Sequence, residues 1–167
     1  MVKTATRRKR AGNPKDAIKT IEAYFAKLGD GTAADSVSLE ALPHLFRLIA
    51  VLRGPGGCPW DVAQHFADYP QLLEEEVAEL KEAVTSGNRE AITEELGDAA
   101  WNLLYLLYLA QDERGVPLDT VLRGVLKKIV RRHEHVFGSV KAETPEEVLA
   151  NWRKLKQREK RRKSRKA

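Results

Sequence analysis

Two acidic clusters, Glu75-Glu76-Val77-Ala78-Glu79 and Glu94-Glu95-Leu96-Gly97-Asp98, hold the side chains of this chain best suited to chemistry. Like charges three or four residues apart on a helix are neighbours and repel, at a few tenths of a kcal/mol per pair unless a cation neutralises them. Carboxylates gathered with no histidine or cysteine alongside favour a hard, oxygen-seeking ion, Mg²⁺ or Mn²⁺, and such ions usually handle phosphates. The competing reading is a solvated surface, which is what charge runs usually are. Three details weigh against it: a matched register in the two clusters, a shortage of basic partners four residues on, and Asn102 one turn beyond Asp98 on the same face. A di-iron carboxylate bundle would need Glu-x-x-His pairs, and the sequence has none.

The elements that must position these residues read as helices, since no run alternates apolar and polar residues between turn pairs. The expected fold is all-α, a helical bundle of about five to six helices. Asn13-Pro14 and Gly29 bound a first helix over roughly 14–28, and Ser38 caps a second over Leu39–Arg53. The Gly54-Pro55-Gly56-Gly57-Cys58-Pro59-Trp60-Asp61 segment reads as a structured, non-helical loop. Pro70 and Gly87 bound the helix of the first cluster, and Asn88 caps that of the second, which runs to about Glu113. Pro117 starts a helix through Lys128 and Arg132, and Thr144-Pro145-Glu146-Glu147 is a capping box for the last one. Leu73, Val77, Leu80 and Val84 form the apolar stripe of the first acidic helix, with Ile92, Leu96, Ala99, Leu103 and Leu107 on the second. At about 100° per residue, Glu76 and Glu95 lie about 60° to one side of these stripes, with Glu79 and Asp98 a further ~60° round. Packing the helices antiparallel through the stripes would gather the four carboxylates beside the core.

Length and charge bound the rest. A chain of 167 residues suits one core, and its net charge of +5 belongs to its ends. Residues 1–15 carry six Lys/Arg and no acid, and residues 153–167 carry ten against one, which leaves a net of −10 between them. The expected organisation is a basic tail over 1–15, an N-terminal helix and connection over 16–41, a catalytic domain over 42–160 and a basic tail over 161–167, with the last basic residues fraying. Such tails could bind nucleic acid by counterion release, but no base-reading module accompanies them, so nucleic acid is not expected as the primary partner. The single cysteine, Cys58, fits a reducing cytosol, and no export signal is visible. The apolar run Ala99–Ala110 is too short to span a bilayer and contains Asn102.

Four segments, in order, carry a family resemblance: Leu52-Arg53-Gly54-Pro55-Gly56-Gly57-Cys58-Pro59-Trp60-Asp61, Glu75-Glu76-Val77-Ala78-Glu79-Leu80, Glu94-Glu95-Leu96-Gly97-Asp98 and Arg131-Arg132-His133-Glu134-His135-Val136-Phe137-Gly138. A fifth, Asn151-Trp152-Arg153-Lys154-Leu155-Lys156, resembles a closing helix. Over about Leu42 to Lys160 the chain resembles the MazG family of nucleoside triphosphate pyrophosphohydrolases, of the all-α NTP pyrophosphohydrolase superfamily. The resemblance implies metal ligands at Glu76, Glu79, Glu95 and Asp98, and a glutamate at Glu75 that positions or deprotonates the attacking water. It implies Mg²⁺, with Mn²⁺ as a substitute, and hydrolysis of (deoxy)nucleoside triphosphates to a monophosphate and pyrophosphate in a homodimer or higher homo-oligomer.

Lys128 and Arg132, one turn apart, match basic positions of the family and would bind phosphates, and Arg53 adds a third candidate. Lys127 and Arg131 are read instead as cations that complement a helix C-terminus. Trp152 and Lys156 resemble a pair that contacts base and phosphate, Trp60 could shape the substrate mouth or a subunit contact, and Asn102 lies within reach of the proposed metal. Where the family often continues with Gln-Thr-His, this chain reads Gln64-His65-Phe66 after Ala63. The alternatives are a narrower relative acting on dUTP or phosphoribosyl-ATP, or a noncatalytic nucleic-acid-binding or regulatory protein that uses its basic tails.

Overall fold

The computed structural model describes Asp16, Lys19, Thr20, Ala23 and residues 40–165, apart from the side chains of residues 162 and 163. Asp16, Lys19, Thr20 and Ala23 are helical; the rest of the expected first helix, the basic tail over 1–15 and the Ser38 cap lie outside the described residues. Seven helices follow among the described residues, with no strand: α1 Ala41–Leu52, α2 Pro59–Ala63, α3 Tyr69–Ser86, α4 Arg89–Arg114, α5 Leu118–Arg132, α6 Glu134–Phe137 and α7 Pro145–Ser164. The fold is all-α, and two short helices, α2 and α6, join those expected. No helix among the described residues is long and apolar enough to cross a membrane.

One expectation fails at an element's start. The glycine-rich segment is not irregular to its end, because Pro59 sits in the first turn of α2, where its fixed φ and missing N–H cost nothing, so Pro59, Trp60 and Asp61 are helical. Towards the C-terminus α7 runs to Ser164. In the glycine segment Cys58 N–H donates to Leu52 O at 2.8 Å, and a Cβ on Gly57 would fall 2.2 Å from the same carbonyl oxygen. Only glycine fits where the chain folds back over the end of α1.

The chain divides into two compact units, one ending at Gly115 and one beginning at Val116. In the first, α3 and α4 form a hairpin joined by Gly87 and Asn88 alone. Gly87 takes the left-handed conformation at φ 70°, closing α3, and the Asn88 side chain accepts from Ala91 N–H to cap α4. The core is Ile49 of α1, Tyr69 of α3, and Tyr105 and Leu109 of α4, with Phe66, Leu72, Trp101 and Leu104 packed against it. Tyr69 and Tyr105 stack at 4.4 Å between ring centroids, and Trp101 meets Tyr105 edge-on.

The expected stripes are only partly covered: Leu73, Leu80, Ile92, Ala99 and Leu107 are half-buried. Val77, Val84, Leu96 and Leu103 are 45%, 59%, 53% and 47% exposed. A register through Tyr69, Leu72, Glu76, Glu79 and Ala83 on α3, and Glu95, Asp98, Asn102, Tyr105 and Leu109 on α4, holds the buried Tyr69, Ala83, Asn102, Tyr105 and Leu109, while its Glu79 and Asp98 are exposed. Both sets are spaced three and four residues apart in alternation, the heptad seam of a coiled coil. The stretch Trp101–Ala110 supplies Tyr105, Leu109 and Ala110 to the interior and leaves Leu103 exposed.

In the second unit, Glu159 of α7 accepts from Arg131 and from Arg132 of α5, the latter at 2.7 Å. Trp152 of α7 donates its indole N–H to Arg132 O at 2.8 Å and sets its ring edge-on to His133. The capping box at Thr144 forms as the sequence predicts, with Glu147 N–H donating to Thr144 Oγ1 and Thr144 N–H to Glu147 Oε2.

Candidate metal centre

The α3–α4 seam places acids where a coiled coil would bury leucine. Glu76, Glu79 and Glu95 each contribute a carboxylate oxygen to a group whose members all lie within 4.8 Å of one another. Glu76 and Glu95 are half-buried and Glu79 is exposed. Behind them, buried Asn102 donates from Nδ2 to Glu76 Oε1 at 3.1 Å, which aims that carboxylate and satisfies the amide. Asp98 is exposed and stands outside this trio, yet its charge acts on both half-buried members.

The electrostatics follow from that crowding. Desolvation and then the charges of Asp98 and Glu79 hold Glu76 above the usual carboxylate range, against the Asn102 hydrogen bond, which favours the ionised form. Glu95 is raised by desolvation, then by Glu79, Glu94, Asp98 and Glu76. Its Oε2 is buried with no hydrogen-bond partner. A buried acceptor without a donor, inside a cluster of mutually repelling carboxylates, is what a divalent cation resolves. The donor set is oxygen throughout, which suits Mg²⁺ or Mn²⁺ and not a thiolate- or imidazole-seeking ion.

Glu75, exposed one position before Glu76, accepts from Gln71 Nε2 at 3.1 Å. The sequence reading passed over Gln71, although a glutamine one turn before a glutamate on a helix is a recognisable pair. It passed over Asp61 and Tyr105 as a pair too. The buried Asp61 carboxylate accepts from Tyr105 Oη at 2.9 Å, and burial with this bond pushes the Tyr105 hydroxyl up to about 12. No local signal links positions 44 residues apart.

Other expected site residues have work of their own in the structure. Arg53 donates to the carbonyls of Asp61 and Gln64 and approaches Glu113 at 3.9 Å, so it clasps the glycine segment to α2 and α4. Trp60 is 58% exposed at the start of α2. In the second unit Lys128 is half-buried and Lys156 exposed. Arg132 spends its Nη2 on Glu159 while its Nε has no acceptor, and Trp152 packs as described. Arg131, read from sequence as a helix-end cation, is the second partner of Glu159.

Comparison with known proteins agrees with the acidic hairpin. The model of the MazG nucleotide pyrophosphohydrolase domain matches residues 64–137. An uncharacterised protein of Bacillus subtilis, YabN, is 42% identical over 113 residues, 68% of this chain and 23% of its own length. A nucleoside triphosphate pyrophosphohydrolase of Escherichia coli is 32% identical over 72% of this chain and 46% of its own. One of Thermotoga maritima is 33% identical over 70% and 44%. The chain thus spans less than half the length of each of these three relatives. No solved structure matches it. The matched segment contains α3, α4 and all six acids of the two clusters, so it is residues 64–137 of this chain that are similar to the MazG nucleotide pyrophosphohydrolase domain.

Proposed function

We propose that this protein hydrolyses (deoxy)nucleoside triphosphates to nucleoside monophosphate and pyrophosphate with Mg²⁺ or Mn²⁺ held by Glu76, Glu79, Glu95 and Asp98. The observation that carries the reading is the convergence of three carboxylates on a coiled-coil seam, with one buried oxygen of Glu95 unpartnered. The similarity of residues 64–137 to the MazG domain and the names of the Escherichia coli and Thermotoga maritima relatives support the reaction class.

A bound ion would neutralise triphosphate oxygens and acidify the attacking water. The chain's own residues do the rest. Asn102 keeps the Glu76 carboxylate turned into the cluster. Glu75, anchored through one oxygen by Gln71, has its other oxygen for orienting the water and taking its proton. In the second unit Lys128 and Lys156 would supply cations for phosphate oxygens and Trp152 a flat apolar surface for a base, while Arg132 is held by Glu159. Arg53 serves indirectly, by holding α2 and Trp60 in place. The proposal includes a cytoplasmic homo-oligomer, supported by the exposed Val77, Val84, Leu96 and Leu103 of the hairpin.

The test is pyrophosphate release from each common (d)NTP with Mg²⁺ and with EDTA. Turnover should require the ion, and Glu76→Gln or Asp98→Asn should lower it at least about 100-fold. Turnover of no nucleotide at all, or full activity in either variant, refutes the reading.

A further inference from the structure

The second unit has a recess of about 240 Å³ where the end of α5, α6 and one face of α7 meet. Asn151, Lys154, Leu155 and Arg158 line it from α7, spaced three, four and seven residues apart as one helical face must be, and Arg132, Glu134 and His135 line the other side. We propose that this recess is a binding site for a small phosphate-type anion, held by Lys154 and Arg158 with Asn151.

Charge comes first. Arg132 is already neutralised by Glu159, so the free charges at the recess are Lys154 and Arg158 against Glu134. Neither Lys154 nor Arg158 makes an ion pair among the described residues. Lys154 and Arg158 stand one turn apart on the face of α7 that lines the recess, and the walls opposite come from α5 and α6. Hydrogen-bond chemistry agrees. The Asn151 amide adds a neutral donor and the His135 ring its nitrogens beside the two cations, groups that can bond phosphate oxygens. Size allows the ligand. At about 240 Å³ the recess has room for a phosphate or pyrophosphate group.

The site uses neither the acidic hairpin nor the ions it would hold, and its test is made in EDTA. Binding of inorganic pyrophosphate to the full chain is measured by calorimetry and by ³¹P NMR. Lys154→Ala with Arg158→Ala should weaken it at least about tenfold, because charge-assisted bonds carry more than neutral ones. The control, Lys160→Ala with Arg161→Ala, removes the same charge from the same helix outside the recess, and should change affinity less than about twofold. Alanine favours helix, and a glutamine pair at 154 and 158 repeats the measurement with side chains of similar reach. No binding by the parent protein, or equal losses in the two alanine pairs, overturns the proposal. So does recess-dependent binding of a short single-stranded oligonucleotide without binding of pyrophosphate.

Discussion

Glu76 sits where a coiled coil would put a leucine, and its neighbours on the seam repel it. Glu76→Gln keeps an oxygen for the Asn102 amide while removing one negative charge, so the ion-free variant should be more stable than the parent, by a few tenths of a kcal/mol for each like-charge pair removed. It should also lose the stabilisation that Mg²⁺ gives the parent. Urea unfolding with and without Mg²⁺ measures both, and an undiminished Mg²⁺ response would remove Glu76 from the ligand set. The grouping of Glu76, Glu79 and Glu95 was expected from their register; the exposure of Val77, Val84, Leu96 and Leu103 on the same helices was not. Valines and leucines at 77, 84, 96 and 103 mark a plausible apolar stripe at 3.6 residues per turn, whereas a heptad count from Tyr69 and Tyr105 runs through Glu76, Glu79, Glu95 and Asp98. Apolar counting favours the first pattern, because the second contains the residues that a site, and not a core, requires.

At the scale of elements, the five long helices among the described residues were expected from the sequence, and the short helices Pro59–Ala63 and Glu134–Phe137 were not. Punctuation by Gly87, Asn88, Gly115 and Thr144 is local chemistry and was visible. The helicity of Pro59–Ala63 depends on Arg53, Tyr105 and backbone bonds from distant positions, which no window along the chain reveals. A second long-range tie carries a pH dependence. Arg132 and then Arg131 hold Glu159 down at about 2, from an ordinary 4.5. A carboxylate depressed in the folded state stabilises it fully above its unfolded value, and that contribution is lost as pH falls toward 2. Acidification should therefore loosen α7 from α5 between about pH 4.5 and 2, reported by the Trp152 indole N–H resonance, and Glu159→Gln should remove that step. An unchanged acid titration in the variant would assign the step to another group.

Across the whole molecule, the charge is divided so that the ends are basic and the stretch between them carries a net of −10. An acidic surface deters anions until ions bridge the two, so binding of a triphosphate and binding of its ion should be coupled. The apolar residues left exposed on the hairpin bear on assembly. Leu96→Glu with Leu103→Glu should reduce the sedimenting mass of the proposed oligomer while helix content persists, since both side chains are already about half exposed. A mass that does not change would move the interface off this face.

The two-residue link Gly87-Asn88 has a kinetic meaning. Helices joined so closely find each other with little loop entropy to overcome, and contacts local in sequence form early during folding. The clustered acids therefore meet before most long-range ties exist, while the chain is still searching. An ion captured at that moment would act as a nucleation partner, so Mg²⁺ should quicken refolding and not merely delay unfolding, a division that the two limbs of a denaturant rate plot display.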